Sequence, residues 1–140
     1  MKKKAVLTIL AVVIIALIAV FALPWTSFSE KTEIVSAIAI TVKTPGHIDS
    51  SSNLEKDDCA ALSALLSGAK GRFMIRSEDS FSDKAWTKIT FGASDGSQDK
   101  YWFADLYIAE DAVYMYRDKC LLGQKLTGLD ADAIRRIAEK

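Results

Sequence analysis

The chain opens on an unbroken apolar run, Ala5 to Leu23, reading AVLTILAVVIIALIAVFAL, with Met1-Lys2-Lys3-Lys4 before it and Pro24-Trp25 after it. Thr8 is its one member outside the apolar set. As a helix at about 1.5 Å per residue, such a run is as long as the hydrocarbon core of a bilayer is thick. The run therefore predicts a transmembrane signal-anchor helix over 5–23. The lysines ahead of it orient residues 1–4 as a basic cytoplasmic tip and place everything beyond residue 24 outside. Cleavage as a secretory signal is the alternative. Val20 and Ala22 form a −3/−1 pair, but the apolar run is long for a signal and no polar segment precedes the site. Trp25 and Phe28 stand where interfacial aromatics anchor a helix, so residues 24–33 read as a short stalk.

From residue 34 the pattern changes to short periodic segments. Ile34 to Val42 sets Ile34, Ser36, Ile38, Ile40 and Val42 on one face and Val35, Ala37, Ala39 and Thr41 on the other, which predicts a central strand covered on both faces. Thr44-Pro45-Gly46-His47 breaks it, and Asp49 to Asn53 reads as a polar connection. Ser52-Asn53-Leu54-Glu55 has the form of a capping box, so a helix is expected from there. Leu54, Cys59, Leu62, Leu65 and Leu66 give its apolar stripe, with Gly68 as the C′ residue.

Gly71 to Arg76 predicts a strand with Phe73 and Ile75 on one face and Met74 on the other, followed by a Ser- and acid-rich loop over 77–83. Trp86 to Phe91 predicts another, with Thr87, Ile89 and Phe91 against Trp86, Lys88 and Thr90. Residues 93–99 are rich in turn formers. The most informative pattern is Lys100 to Asp118. If Glu110-Asp111 is a two-residue tip, Ala109 faces Ala112, Ile108 faces Val113, Tyr107 faces Tyr114, Leu106 faces Met115 and Asp105 faces Tyr116. That register puts Trp102, Ala104, Leu106, Ile108, Val113 and Met115 on one side and Tyr101, Phe103, Asp105, Tyr107, Tyr114 and Tyr116 on the other; a slip of one residue spoils both. Glu-Asp is a poor type I′ turn, and a longer loop is the alternative. Cys120 to Thr127 reads as a last strand weakened by Gly123. Asp130 then caps a C-terminal helix, with Leu129 stapled to Ile134, and Ile134 and Ile137 facing inward. The order predicts an α+β fold: a transmembrane helix, then a small, mainly antiparallel sheet with two helices packed on it, the extracytoplasmic domain spanning 34–140.

Composition narrows the function by exclusion. The 140 residues carry 18 Lys plus Arg and 18 Asp plus Glu, and setting aside the three leading lysines leaves 15 cations against 18 anions. This mild acidity argues against a nucleic-acid partner. No nucleophile elbow, P-loop, dinucleotide fingerprint or zinc-protease motif occurs, and the single histidine, His47, stands beside a Pro-Gly turn. A Cys–His nucleophile would need Cys59 or Cys120 beside it, yet neither is placed as an exposed, activated thiolate. No cofactor, metal or catalytic residue is expected. Asp95 and Asp99 offer oxygen ligands without calcium-loop spacing, and Glu78, Asp79 and Asp83 read as a solvated acidic loop.

Two features stay open. Cys59 and Cys120, 61 positions apart, read equally as a disulfide worth about 4 kcal/mol in the chain-entropy model or as two small hydrophobes that never meet. The aromatic face Tyr101, Phe103, Asp105, Tyr107, Tyr114 and Tyr116 reads either as a surface for a peptide or glycan chain or as core that covers the sheet's second side or packs under the C-terminal helix. The expectation is a non-catalytic binding or accessory module tethered to the cell membrane, with an envelope protein or a peptide or glycan as partner. A secreted binding or inhibitor domain is the alternative, and an envelope hydrolase is third.

Overall fold

A computed structural model describes residues 2–81, 84–96, 100–110 and 112–140, with Asp79 described by its backbone alone. Among them the chain forms three α-helices and one eight-stranded, wholly antiparallel sheet, the α+β architecture expected from the pattern. Helix α1 (Lys2–Ala22) is apolar all round, so it has no preferred face to bury. It is the one helix among the described residues long and apolar enough to span a membrane or to serve as a signal sequence. Pro24 ends it, lacking the amide that would continue the ladder.

The segment that reads as a stalk belongs to the fold. Trp25–Thr26 forms a two-residue strand, β1, antiparallel to β4 (Lys70–Met74), with Trp25 opposite Gly71 and Thr26 opposite Lys70. Ser27 donates its amide to Ala69 O at 2.8 Å, and Gly68 donates to Phe28 O at 2.9 Å. Phe28, 1% exposed, packs edge-on against Phe91 and Trp102 at 6.3 and 6.0 Å between centroids. One aromatic among polar neighbours carries no periodicity, so spacing does not separate a core ring from an interfacial one.

Strand β2 (Glu33–Val42) pairs with β5 (Trp86–Ser94) and with the short β3 (Ser50–Asn53). A bulge between Ile34 and Ser36 changes its facing, so Ile34, Ala37, Ala39 and Thr41 point inward while Val35 and Ile38 are exposed. The expected coverage of both faces is therefore corrected. The bulged strand's Ile34 amide donates to Ser63 Oγ at 2.9 Å, and Ser63 in turn donates to Cys59 O. Ser52 and Asn53 are taken up by β3, which moves the next helix start: α2 runs Lys56–Leu66 with Glu55 at the N-cap in extended conformation and no side-chain cap. Asp57 and Asp58 supply the favourable charge at its first turn instead. The expected stripe is inside, with Cys59, Leu62 and Leu66 buried, and Gly68 just past Ser67 has φ +71° as a C′ residue should.

Strand β4 stops at Met74, leaving Ile75 outside the sheet and 86% exposed, where the alternation pairs it with Phe73. A single 3₁₀ turn, Glu78–Phe81, follows. Strands β5, β6 (Tyr101–Ala109), β7 (Ala112–Arg117) and β8 (Gly123–Thr127) form a meander, and β8 pairs back onto β4. The order across the sheet is β1-β4-β8-β7-β6-β5-β2-β3. The β6–β7 register is the one the alternation predicts, from Asp105 opposite Tyr116 to Ala109 opposite Ala112. Glu110 takes φ +56° at the tip, while Asp111 lies outside the described residues. Helix α3 (Ala131–Ala138) begins as expected, Asp130 accepting from the Ala133 amide at 3.0 Å, with Ile134 fully buried and Leu129 against the core. Helices α2 and α3 contribute Cys59, Leu62, Leu66, Ala131, Ile134 and Ala138 to one continuous core with the inner face of the sheet.

Candidate functional site

Around Tyr107, Tyr114 and Tyr116 the sheet's second face is covered by residues 76–81, which follow β4. Phe81, 1% exposed, lies on the Tyr107 ring with centroids 4.5 Å apart and planes 7° from parallel. It also meets Tyr114 at 5.2 Å and the edge of Tyr116 at 6.1 Å, and Trp86 closes the other side of Tyr107 at 5.5 Å. The Arg76 guanidinium sits 4.5 Å from the Phe81 centroid and 4.9 Å from that of Tyr114, and donates to Tyr114 Oη at 3.1 Å and to Ser80 Oγ at 2.8 Å. Tyr116 Oη donates to Arg76 O at 2.9 Å, and Tyr107 Oη donates to Glu78 Oε2 at 3.1 Å. Residues 76–81 thus form a strap clasped to the hairpin by aromatic stacking and polar ties. Within the aromatic set, Tyr107 and Tyr114 are buried core residues, Asp105 and Tyr116 are half-buried, and Tyr101 and Phe103 stay 57% and 56% exposed. Asp105 accepts from Thr90 Oγ1 at 2.6 Å.

Glu78 is half-buried against this hairpin rather than solvated. Burial raises its carboxyl pKa; the nearby Asp105 adds to that, and the Tyr107 hydrogen bond works against it. Burial likewise pushes the Tyr116 phenol up to about 12, with Arg76 opposing, and raises Tyr107 beside Glu78. An acid with a raised folded-state pKa holds its proton more tightly folded than unfolded. Stability should therefore fall as pH climbs from the ordinary glutamate value, about 4.3, through the raised one, and level off above it. Glu78→Gln keeps an acceptor for Tyr107 and removes that slope. Urea unfolding should find it more stable than the parent at pH 7 and equal to it below the ordinary glutamate value. A Gln variant as pH-dependent as the parent would refute this account.

Several open clefts line the described residues, and two of them bear on the site. One, of about 200 Å³, is bordered by exposed Phe103 together with Asp105, Tyr116, Arg117 and Asp118. The other, of about 260 Å³, lies beside the start of the domain between Trp25, Phe73, Met115, Leu122 and Gln124, with Arg117 at both. The Arg117 guanidinium stands 4.1 Å from the Trp102 ring centroid.

The remaining reactive groups are scattered. Cys59 is buried under α2, where desolvation and the adjoining Asp58 raise its thiol pKa; Cys120 is exposed in the turn between β7 and β8. Both stand as free thiols in the structure. His47 lies in the β2–β3 turn, at the end of the sheet shared with the β6–β7 tip, whereas Cys120 is at the opposite end. Among the described residues, no three or more His, Cys, Asp or Glu side chains converge as metal ligands would. Of the calcium-like loop, Asp99 lies outside the described residues, as does Asp83 of the acidic run. Asp95 is structural, because its Oδ1 accepts from Thr32 Oγ1 at 2.7 Å and from Trp102 Nε1 at 3.0 Å, tying the 27–32 segment to the sheet. Burial alone would raise its carboxyl pKa, but these hydrogen bonds and nearby Arg117 hold it below the ordinary value.

Sequence periodicity does not expose Arg76, Glu78 and Phe81, since the strap has no repeat. The one available signal is a lone Phe inside a Ser- and acid-rich stretch. No protein-family model, curated protein or solved structure matches the chain.

Proposed function

We propose that the protein is a single-pass, membrane-anchored extracytoplasmic domain that works by binding, as an accessory module for an envelope protein or for a peptide or glycan chain, without catalysis of its own. The observation that carries this reading is the junction between α1 and the sheet. The apolar helix is exposed from Lys2 to Ile18 and passes into β1 without a linker, and Trp25 Nε1 donates back to Val20 O at 3.2 Å. A signal destined for removal has no need of a hydrogen bond to the mature domain. The binding face is the open remainder of the aromatic set, Tyr101 and Phe103 beside the cleft of Asp105 and Tyr116, where rigid rings give contact area at low entropic cost.

Alkaline extraction of whole-cell membranes tests the anchor: the full-length chain should stay in the pellet, and a soluble form beginning near Leu23 would overturn it. Tyr101→Ser with Phe103→Ser tests the face, because both rings are exposed and the fold should persist. Loss of crosslinking from the 101–103 segment to an envelope component supports the reading, and unchanged crosslinking refutes it.

A further inference from the structure

We infer that the end of the domain from which α1 departs rests on the bilayer itself, with Leu121 and Ile75 inserted at headgroup level and Lys119 facing anionic lipid. This rests on reading α1 as a membrane anchor and adds a second, independent membrane contact made by loops far away in sequence.

The direction of α1 follows from strand pairing. Trp25 opposes Gly71 and Thr26 opposes Lys70, so moving back from Trp25 into the helix means moving forward along β4 toward Met74. The end of α1 touches β4, and its residues 19–21 are half-buried there. The helix therefore leaves the sheet at the end where β4 stops, which also carries the β5–β6 and β7–β8 connections. Trp25 shares a cleft with Cys120 and Leu122, and Cys120, Leu121 and Leu122 share the adjoining one with Ile75. Leu121 is fully exposed, Ile75 is 86% exposed, and Leu23 and Trp25 beside them are about half so.

Isolated apolar residues on a protein surface are ordinary. Here two projecting aliphatic tips on adjoining loops sit next to the point of helix exit. The turn that presents Leu121 is pinned: Asp118 N donates to Phe103 O at 2.8 Å, Phe103 N donates to Asp118 Oδ1 at 3.0 Å, and Lys119 adopts φ +60°. Leu121 is thus held out instead of folding back onto the sheet. Lys119, two residues before it, is exposed, and a cation bordering an apolar tip suits the headgroup layer of an anionic membrane. Continuity with the anchor selects the bilayer over a protein as the occupant.

The test uses full-length protein carrying Cys59→Ala, reconstituted in vesicles of equal parts phosphatidylcholine and phosphatidylglycerol, with an environment-sensitive NBD fluorophore on Cys120. Its emission should be blue-shifted relative to the same probe at Thr44→Cys in a Cys120→Ser background, since Thr44 lies at the opposite end of the sheet. Lipids spin-labelled near the headgroup should quench it severalfold more than the Thr44 probe. Leu121→Asp with Ile75→Asp should abolish both effects while the protein still floats with the vesicles. Aqueous emission and equal quenching at the two sites, on protein that floats, would overturn the inference and leave the anchor standing. A blue shift insensitive to spin-labelled lipid would overturn it in favour of a protein contact. Failure to float with vesicles would overturn the anchor, and this inference with it.

Discussion

Phe28→Ala is expected to destabilise the domain by about 3–5 kcal/mol, the range for emptying a buried phenylalanine site. Against a typical total of about 5–15 kcal/mol, this leaves the fold marginal. The ring is enclosed by Phe91 and Trp102 and held by a chain segment hydrogen-bonded on both sides of it to the Gly68–Ala69 turn. Collapse of the site is resisted because Trp102 is fixed by Asp95 and covered by Arg117. Chemical denaturation of the membrane-reconstituted protein, followed by tryptophan emission, measures the loss. A change within about 0.5 kcal/mol, the level of an ordinary surface substitution, would restore residues 24–33 to the status of a stalk. The same logic predicts that a fragment beginning at Ile34 does not fold, since it lacks both Phe28 and Thr32, the partner of Asp95.

Phe81→Ala should cost a similar amount, about 3–5 kcal/mol, by a different route. Phe81 belongs to the second, smaller cluster with Tyr107, Ala109 and Tyr114, separate from the main core under the two helices. Removing the ring takes away the stacking partner of Tyr107 and the surface on which the Arg76 guanidinium rests. Loosening should begin in the strap, so hydrogen exchange over residues 76–81 should accelerate before that of β2 and β5. Near-ultraviolet circular dichroism should lose tyrosine signal while the main core stays folded in the absence of denaturant. An unaltered tyrosine signal together with unchanged stability would mean that Tyr107 and Tyr114 form a free surface after all.

The elements legible from sequence are those in which several residues report on one another. The β6–β7 pairing is readable because twelve side chains sort correctly in only one register. Helix α3 is readable from Asp130, Leu129 and Ile134 acting together, and α2 from its stripe. What escapes is carried by single residues or by competition between elements. Phe28 and Phe81 are lone rings in polar stretches. Ser52-Asn53 satisfies the capping-box pattern equally well as edge strand, and the ladder to β2 outweighs one cap. The bulge at Val35 moves residues between faces without leaving a mark in the alternation, and Ser63, its partner, is 29 residues away. The aromatic face illustrates both sides: its residues group correctly by alternation, but whether a strap lies over them depends on a segment with no pattern.

The edges of the sheet bear on whether the chain could exist without α1. One edge ends in β3, four polar exposed residues, which offers little to a neighbouring strand. The other ends in β1, which pairs with Lys70 and Gly71 alone, and beyond those two residues the flank of β4 is bordered by the end of α1. A chain cut after Ala22 would uncover the backbone of Arg72, Phe73 and Met74 along that flank. Such a product carries an open template for strand addition, so release from the helix would favour self-association in the very form that was meant to diffuse freely.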